Sequence, residues 1–265
     1  EILSGLVGSE MCIRDRLIFI IGPILAIFLS TNIAPILGTL AAAGFLAVGS
    51  ILFLLQKKTA PKPFPHTKGS KNLLLAFPFV FFFTVNFLAI GSVYTSAEIA
   101  TLAFCRSIHM QTYASIPLMA YASGSLISGI IYGIVSISVS LRKQYIINLA
   151  FLALTSLPLL FVQTLPMLTL VLFIAGGTCA PLFIITTALL EEFVPEENIT
   201  EGLTWVMTGL AIGVSIGAAL AGRVIDFYGP HCAYTVTIIG GVFSFLIAPY
   251  VYPVSYTQLT LPTIC

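Results

Sequence analysis

One acidic residue in an apolar setting is the first place to look for chemistry in this sequence. Glu98 lies in the stretch GSVYTSAEIATLA, deep inside an apolar run that extends from 73 to 104. A charge at the centre of a bilayer costs about 2.5–3.5 kcal/mol, so an embedded acid usually has a task or a partner. Tyr94 sits one helical turn earlier on nearly the same face and is placed to hydrogen-bond to it. A carboxyl drawn out of water favours its protonated form, which suits a group that takes and gives protons. Two roles fit the spacing. Glu98 couples proton movement to substrate movement, or it snorkels at the outer interface, because residue 98 falls late in a long run.

The other polar candidates within apolar runs are Asn86, Thr186, Thr187, Thr204, Trp205 and Thr208. Hydroxyls in membrane helices often bond only to their own backbone, and a Trp near a helix end is commonly an interfacial anchor. Two apparent motifs carry little. Gly213-Val214-Ser215-Ile216-Gly217 matches a GxSxG nucleophile elbow, yet it falls inside a helical run instead of a strand-to-helix turn. His66 falls in the linker, His109 in an outer loop and His231 at a helix start, so no base is at hand within a span for a hydrolase and no catalytic residue is assigned. Asn198-Ile199-Thr200 is a glycosylation sequon on the side expected to be cytoplasmic, where it is not used. The cysteines, Cys12, Cys105, Cys179, Cys232 and Cys265, show no CxxC or Cys/His spacing, so neither metal nor cofactor is expected. A Cys105–Cys232 disulfide is conceivable on one membrane side, but scattered thiols are the favoured reading.

These residues must be held by elements that lipid permits. The chain is 58% hydrophobic and 8% charged, with a mean hydropathy of +1.06, whereas soluble domains carry roughly 25% charged residues. Its solvent is therefore mostly the lipid bilayer. A net charge of +1 gives no basis for nucleic-acid binding. Long unbroken apolar runs select helices over a barrel, because each backbone N–H and C=O must be satisfied within its own segment. Eight runs are predicted, at 17–31, 35–55, 73–104, 113–137, 145–163, 166–190, 200–222 and 231–252, which makes the fold class an all-α membrane bundle.

The breaks have chemical causes. Gln56 to Asn72 (QKKTAPKPFPHTKGSKN) holds three prolines and five lysines and reads as a solvated linker. Ser140 to Gln144 reads as a short basic loop carrying Arg142 and Lys143, Glu191 to Glu201 as an acidic loop, and Gly222 to His231 as a tight connection. Threading puts the loops at 56–72, 138–144 and 191–199 on one face. The Lys/Arg excess there makes it cytoplasmic. Small residues let membrane helices approach closely: Gly209, Gly213 and Gly217 recur every four residues, and Ser125, Gly129 and Gly133 do likewise. Such stripes serve sliding contacts or static packing equally well. Pro78 and Pro181 fall within spans and are expected to kink them. Residues 1–16 and 253–265 lack the membrane pattern and resemble translated sequencing-adapter DNA, so both are expected to be non-native.

Several words of the sequence resemble the major facilitator superfamily. Ile21-Gly22-Pro23 is similar to the Gly-Pro of the fifth helix in proton-coupled efflux members. GSLISGIIYG at Gly124 to Gly133, followed by Leu141-Arg142-Lys143, resembles the end of the eighth helix and its basic loop. The stretch Leu190 to Pro230 resembles the loop before the eleventh helix, and that helix, of an actinobacterial type of efflux permease. Gly91 to Ala103 resembles the outer half of its seventh helix. The resemblance covers about residues 17–252. It implies helices five to twelve of a twelve-helix fold: 17–55 as the last two helices of the N-terminal half, 56–72 as the cytoplasmic linker, and 73–252 as the six-helix C-terminal bundle. The pattern departs in lacking the first four helices and in having only Arg142-Lys143 where the family has a fuller Gly/Asp/Arg loop. What the resemblance implies is a monomeric multi-pass protein of the cell's cytoplasmic membrane. It would export a small-molecule substrate, such as a drug, in exchange for protons by alternating access. Import or facilitated passage of a sugar or other metabolite, and a non-transporting protein on the same fold, are the alternatives.

Overall fold

The computed structural model describes residues 36–55, 78–135 and 139–259. The predicted run at 17–31, with Gly22 and Pro23, and the linker at 56–72 lie outside these. The described helices are α1 (Leu37–Leu55), α2 (Pro78–Ser107), α3 (Ser115–Ile134), α4 (Leu141–Ser156), α5 (Leu165–Gly176), α6 (Cys179–Phe193), α7 (Glu196–Tyr228) and α8 (Pro230–Leu259). Short 3-10 turns at Gln111–Tyr113 and Leu157–Phe161 extend the bases of α3 and α4. Among the described residues, seven stretches are long and apolar enough to cross a membrane, α5 and α6 together forming one of them. The chain is an integral, multi-pass, all-α membrane protein.

Two compact units divide the chain, one spanning Leu17–Ser70 and the other containing everything from Lys71 onward. In the first, α1 is a charge-free helix of 19 residues, about 28 Å long at 1.5 Å per residue, which matches a hydrocarbon core of about 30 Å. The second holds six crossings. Prolines mark several of its helix starts, where the missing N–H costs nothing: Pro166 in the first turn of α5, Pro195 just before α7 and Pro230 opening α8. Pro78 is the first described residue of α2, so the kink expected there falls at the edge of the described residues.

Pro181 does interrupt its crossing. A proline removes the hydrogen bond to the carbonyl four residues earlier and its ring crowds that carbonyl. The break falls at Gly177 and Thr178, between α5 and α6. There the Gly177 and Thr178 N–H groups turn to the carbonyls of Ile174 and Ala175, both at 3.1 Å, and the Thr178 hydroxyl also donates to Ala175 at 2.8 Å.

Three expected loops are shorter than the sequence suggested. Arg142 and Lys143 lie in the first turn of α4, because nothing after Ser140 opposes a helix. The acidic stretch shrinks to Val194 and Pro195, since glutamates are favoured in a first helical turn and continue into α7. The connection before α8 reduces to Gly229, whose φ of 88° lets the chain reverse in one residue.

α2 lies at the centre of the bundle, packed along α7 and α8, while α3 packs on α5 and α6, and α4 joins α8 to α6. Two apolar clusters fill it, one towards each end. One gathers Phe79, Phe83, Phe87, Tyr145, Leu149, Ile185 and Val206. The other gathers Ala100, Phe104, Leu159, Leu168, Leu172 and Tyr234. Edge-to-face rings knit the first: Phe83 to Tyr145 and Phe87 to Phe183, each at 5.3 Å.

Candidate functional site

The walls of α2 decide which of its polar residues are available for chemistry. Towards α7 the contact is backbone on backbone. Gly209, Gly213 and Gly217 rest on Thr84, Leu88 and Ser92, and Gly91 of α2 rests in turn on Leu210. Both numbers rise together in steps of four, so the two helices run parallel. A Cβ at Gly213 would strike the Leu88 carbonyl, and one at Gly217 would come within 2.6 Å of the Ser92 Cα. The expected glycine face on α7 thus meets a specific partner. The predicted stripe on α3 is only partly right: Gly129 is buried but Gly133 is exposed. The tight approach of α3 falls instead on Gly124, against the Phe173 carbonyl, matched by Gly176 of α5 against the Tyr121 carbonyl.

Towards α8 the contact is polar. Asn86 Nδ2 donates to the Ser244 carbonyl at 2.9 Å while the Ser244 hydroxyl donates back to Asn86 Oδ1 at 2.8 Å. Ser96 and Thr237 share a hydrogen bond of 2.9 Å, and Thr101 and Tyr234 share one of 3.3 Å. All six residues are buried. Sequence reading placed Asn86 on a substrate path. In the structure both ends of its amide are bonded to α8, so it is a bundle clasp. Ser96, Thr101 and their partners were missed because isolated hydroxyls look alike in sequence.

What α2 leaves uncovered is a narrower strip that includes Phe81, Glu98 and Leu102. α2 and α3 touch only sparsely, and one link between them is an edge-to-face contact of Tyr94 with Tyr121, ring centroids 6.1 Å apart. The structure therefore gives Tyr94 a ring partner on α3 rather than a hydrogen bond to Glu98. Glu98 is exposed one turn further along the same helix. Among the described residues it makes no ion pair.

The remaining candidates divide by position. Thr204, Trp205 and Thr208 are exposed on α7. Thr204 and Thr208 donate to the carbonyls one turn back, each at 2.7 Å, as Thr187 does to Phe183 at 3.0 Å. Ser215 donates to the Ala211 carbonyl at 3.2 Å in mid-helix, so its GxSxG surroundings form no elbow. Thr186 is buried beside Tyr145, and neither hydroxyl meets a partner in hydrogen-bond geometry among the described residues. At the end of the bundle where α4 starts, Arg142 lies 4.6 Å over the Phe193 ring, and the Tyr132 hydroxyl donates to Gln144 at 2.6 Å. Cys105, Cys179 and Cys232 are free thiols.

Six apolar crossings, α2 among them at the centre, with one acid on the strip that α2 leaves uncovered, define a polytopic helical membrane bundle. The family model of the Major Facilitator Superfamily matches residues 82–263, more than half of the chain, and the protein belongs to that family of membrane transporters. Neither a curated protein nor a solved structure matches the chain. Members of the family bind small-molecule substrates.

Proposed function

We propose that this chain forms part of a proton-coupled exporter of small organic solutes, working by alternating access with Glu98 as the coupling acid. The observation that carries the reading is the position of Glu98. It stands in the second half of α2, a helix otherwise clamped on two sides, and it is exposed with no ion-pair partner among the described residues. A carboxylate with a structural task would be expected to sit in a network like that of Asn86. One left on an open strip is free to exchange a proton. The cytoplasmic placement of 56–72 and the assignment of the crossings to helices five to twelve belong to the same reading, supported by the Lys/Arg excess of that linker.

Glu98→Gln in the complete transporter, reconstituted in proteoliposomes, tests it. Uphill movement of solute driven by an imposed pH gradient should be lost, while downhill exchange persists. If gradient-driven transport by the variant matches the parent, Glu98 is not the coupling group. Uptake in the direction of the proton gradient would favour the metabolite-import alternative.

A further inference from the structure

The hydroxyls of Tyr145 on α4 and Thr186 on α6 lie side by side in the core, both buried, yet neither is bonded among the described residues. Leaving two buried hydroxyls unmet is costly, so such a pair calls for an explanation. Thr186 had a ready alternative. Its neighbour Thr187 donates to the Phe183 carbonyl one turn back at 3.0 Å, a bond open to a threonine inside a helix, and Thr186 does not make it. We infer that Tyr145 and Thr186 form a conformational latch, unbonded in this arrangement and hydrogen-bonded to each other once α6 turns about the break at Gly177 and Thr178. The latch rests on the alternating-access part of the transport reading and not on the role of Glu98.

The surroundings of α6 allow that turn. At its start Pro181 brings no N–H to the helix, and the Gly177 and Thr178 N–H groups bond in a tight turn instead of continuing α5. Against the central helix, α6 and α7 differ in kind. The glycines of α7 press backbone on backbone, where a small shift meets a carbonyl. The backbones of α6 and α2 approach each other only sparsely, and rings bridge them. Phe183 meets Phe87 at 5.3 Å and Phe193 meets Phe79 at 6.0 Å, all edge-to-face. Rings can re-seat by changing rotamer, which a backbone contact cannot do. Tyr145 itself is held from α2 by the edge of Phe83 at 5.3 Å, so the motion falls to Thr186 and its helix.

Spin labels at Lys143→Cys on α4 and Glu192→Cys on α6, both exposed positions, test the latch in the complete transporter with its exposed Cys232 replaced by Ser. Pulsed electron resonance should show two label-to-label distances. Tyr145→Phe and Thr186→Val should each deplete one of them by about fivefold, the worth of a single hydrogen bond, while Thr186→Ser should keep the parent's proportions. Tyr145→Phe should also leave the unfolding temperature unchanged or raise it, because this arrangement loses no bond. A single distance in the parent, or two whose proportions ignore both substitutions, overturns the latch. So does a lower unfolding temperature for Tyr145→Phe, which would mean that the hydroxyls are already bonded, directly or through a water. If the latch fails in a protein that still moves solute on a pH gradient, the transport reading stands. That reading fails on the Glu98→Gln test, which does not involve this pair.

Discussion

Gly213 of α7 rests on the carbonyl of Leu88 of α2 so closely that a methyl group has no room between them. In a helix, Gly→Ala ordinarily gains about 1 kcal/mol from propensity. Here the sign reverses, because overpacking against backbone costs about 1–3 kcal/mol or more and the carbonyl cannot step aside. Gly213→Ala should therefore lower the thermal unfolding temperature of the detergent-solubilised protein. Gly222→Ala on the same helix, with nothing within 4 Å of its added methyl, should leave that temperature unchanged or raise it.

The double hydrogen bond of Asn86 with Ser244 predicts coupling between distant positions. Interhelical hydrogen bonds in membrane proteins average about 0.6 kcal/mol and reach about 1.7 kcal/mol. Stranding a buried amide adds a cost of its own, about 1–3 kcal/mol. Asn86→Val and Ser244→Ala should each destabilise the bundle, Asn86→Val by about 1–2 kcal/mol. The double variant should lose clearly less than the sum of the two. Strict additivity in unfolding measurements would show that the two residues do not act as a pair.

His109 ends α2 in a left-handed conformation, φ 59°. The Met110 N–H bonds to the Cys105 carbonyl at 2.9 Å and the His109 N–H to Arg106 at 3.2 Å, the Schellman arrangement that usually employs glycine. Replacing His109 by Gly removes a steric cost of about 1–2 kcal/mol and adds unfolded-state entropy of about 0.5–1 kcal/mol. A net gain of about 0.5–1 kcal/mol is expected, with His109→Val moving stability the other way. Both are read by thermal unfolding.

Arg142 over the Phe193 ring ties the start of α4 to the end of α6. Exposed cation–π pairs contribute about 0.5–1 kcal/mol, so Arg142→Ala and Phe193→Leu should cost about that much. Arg142→Lys should keep part of it, since the ammonium lacks the planar stacking surface. An unfolding curve unaffected by Arg142→Ala would show that solvent screening cancels the contact.

Sequence alone conveys much of this architecture, and the reason is lipid. An apolar run long enough to span must be a helix, so the helices could be recognised before any contact was known. The glycines at 209, 213 and 217 were also visible, because their repeat matches the helical turn. Their counterpart Gly91, and the pair Gly124 and Gly176, stand singly and give no periodic signal. Boundaries failed where the chain changes direction in one or two residues. Apolar and polar character shifts gradually there, while Gly229 and Pro195 act locally. Partner choice was out of reach altogether. Nothing near Asn86 in the chain distinguishes an amide that meets a helix from one that meets a solute, and only Ser244 decides it.

That pairing also sets an order of events during synthesis. Asn86 and Ser244 are 158 residues apart, which at about 5–20 residues per second separates their emergence from the ribosome by roughly 8–30 s. Throughout that interval α2 resides in the membrane with Asn86, Ser96 and Thr101 lacking their partners on α8. The contact between α2 and α8 therefore closes only when α8 arrives. A nascent chain stalled before Tyr234 would hold three polar groups of α2 in the membrane without their partners on α8.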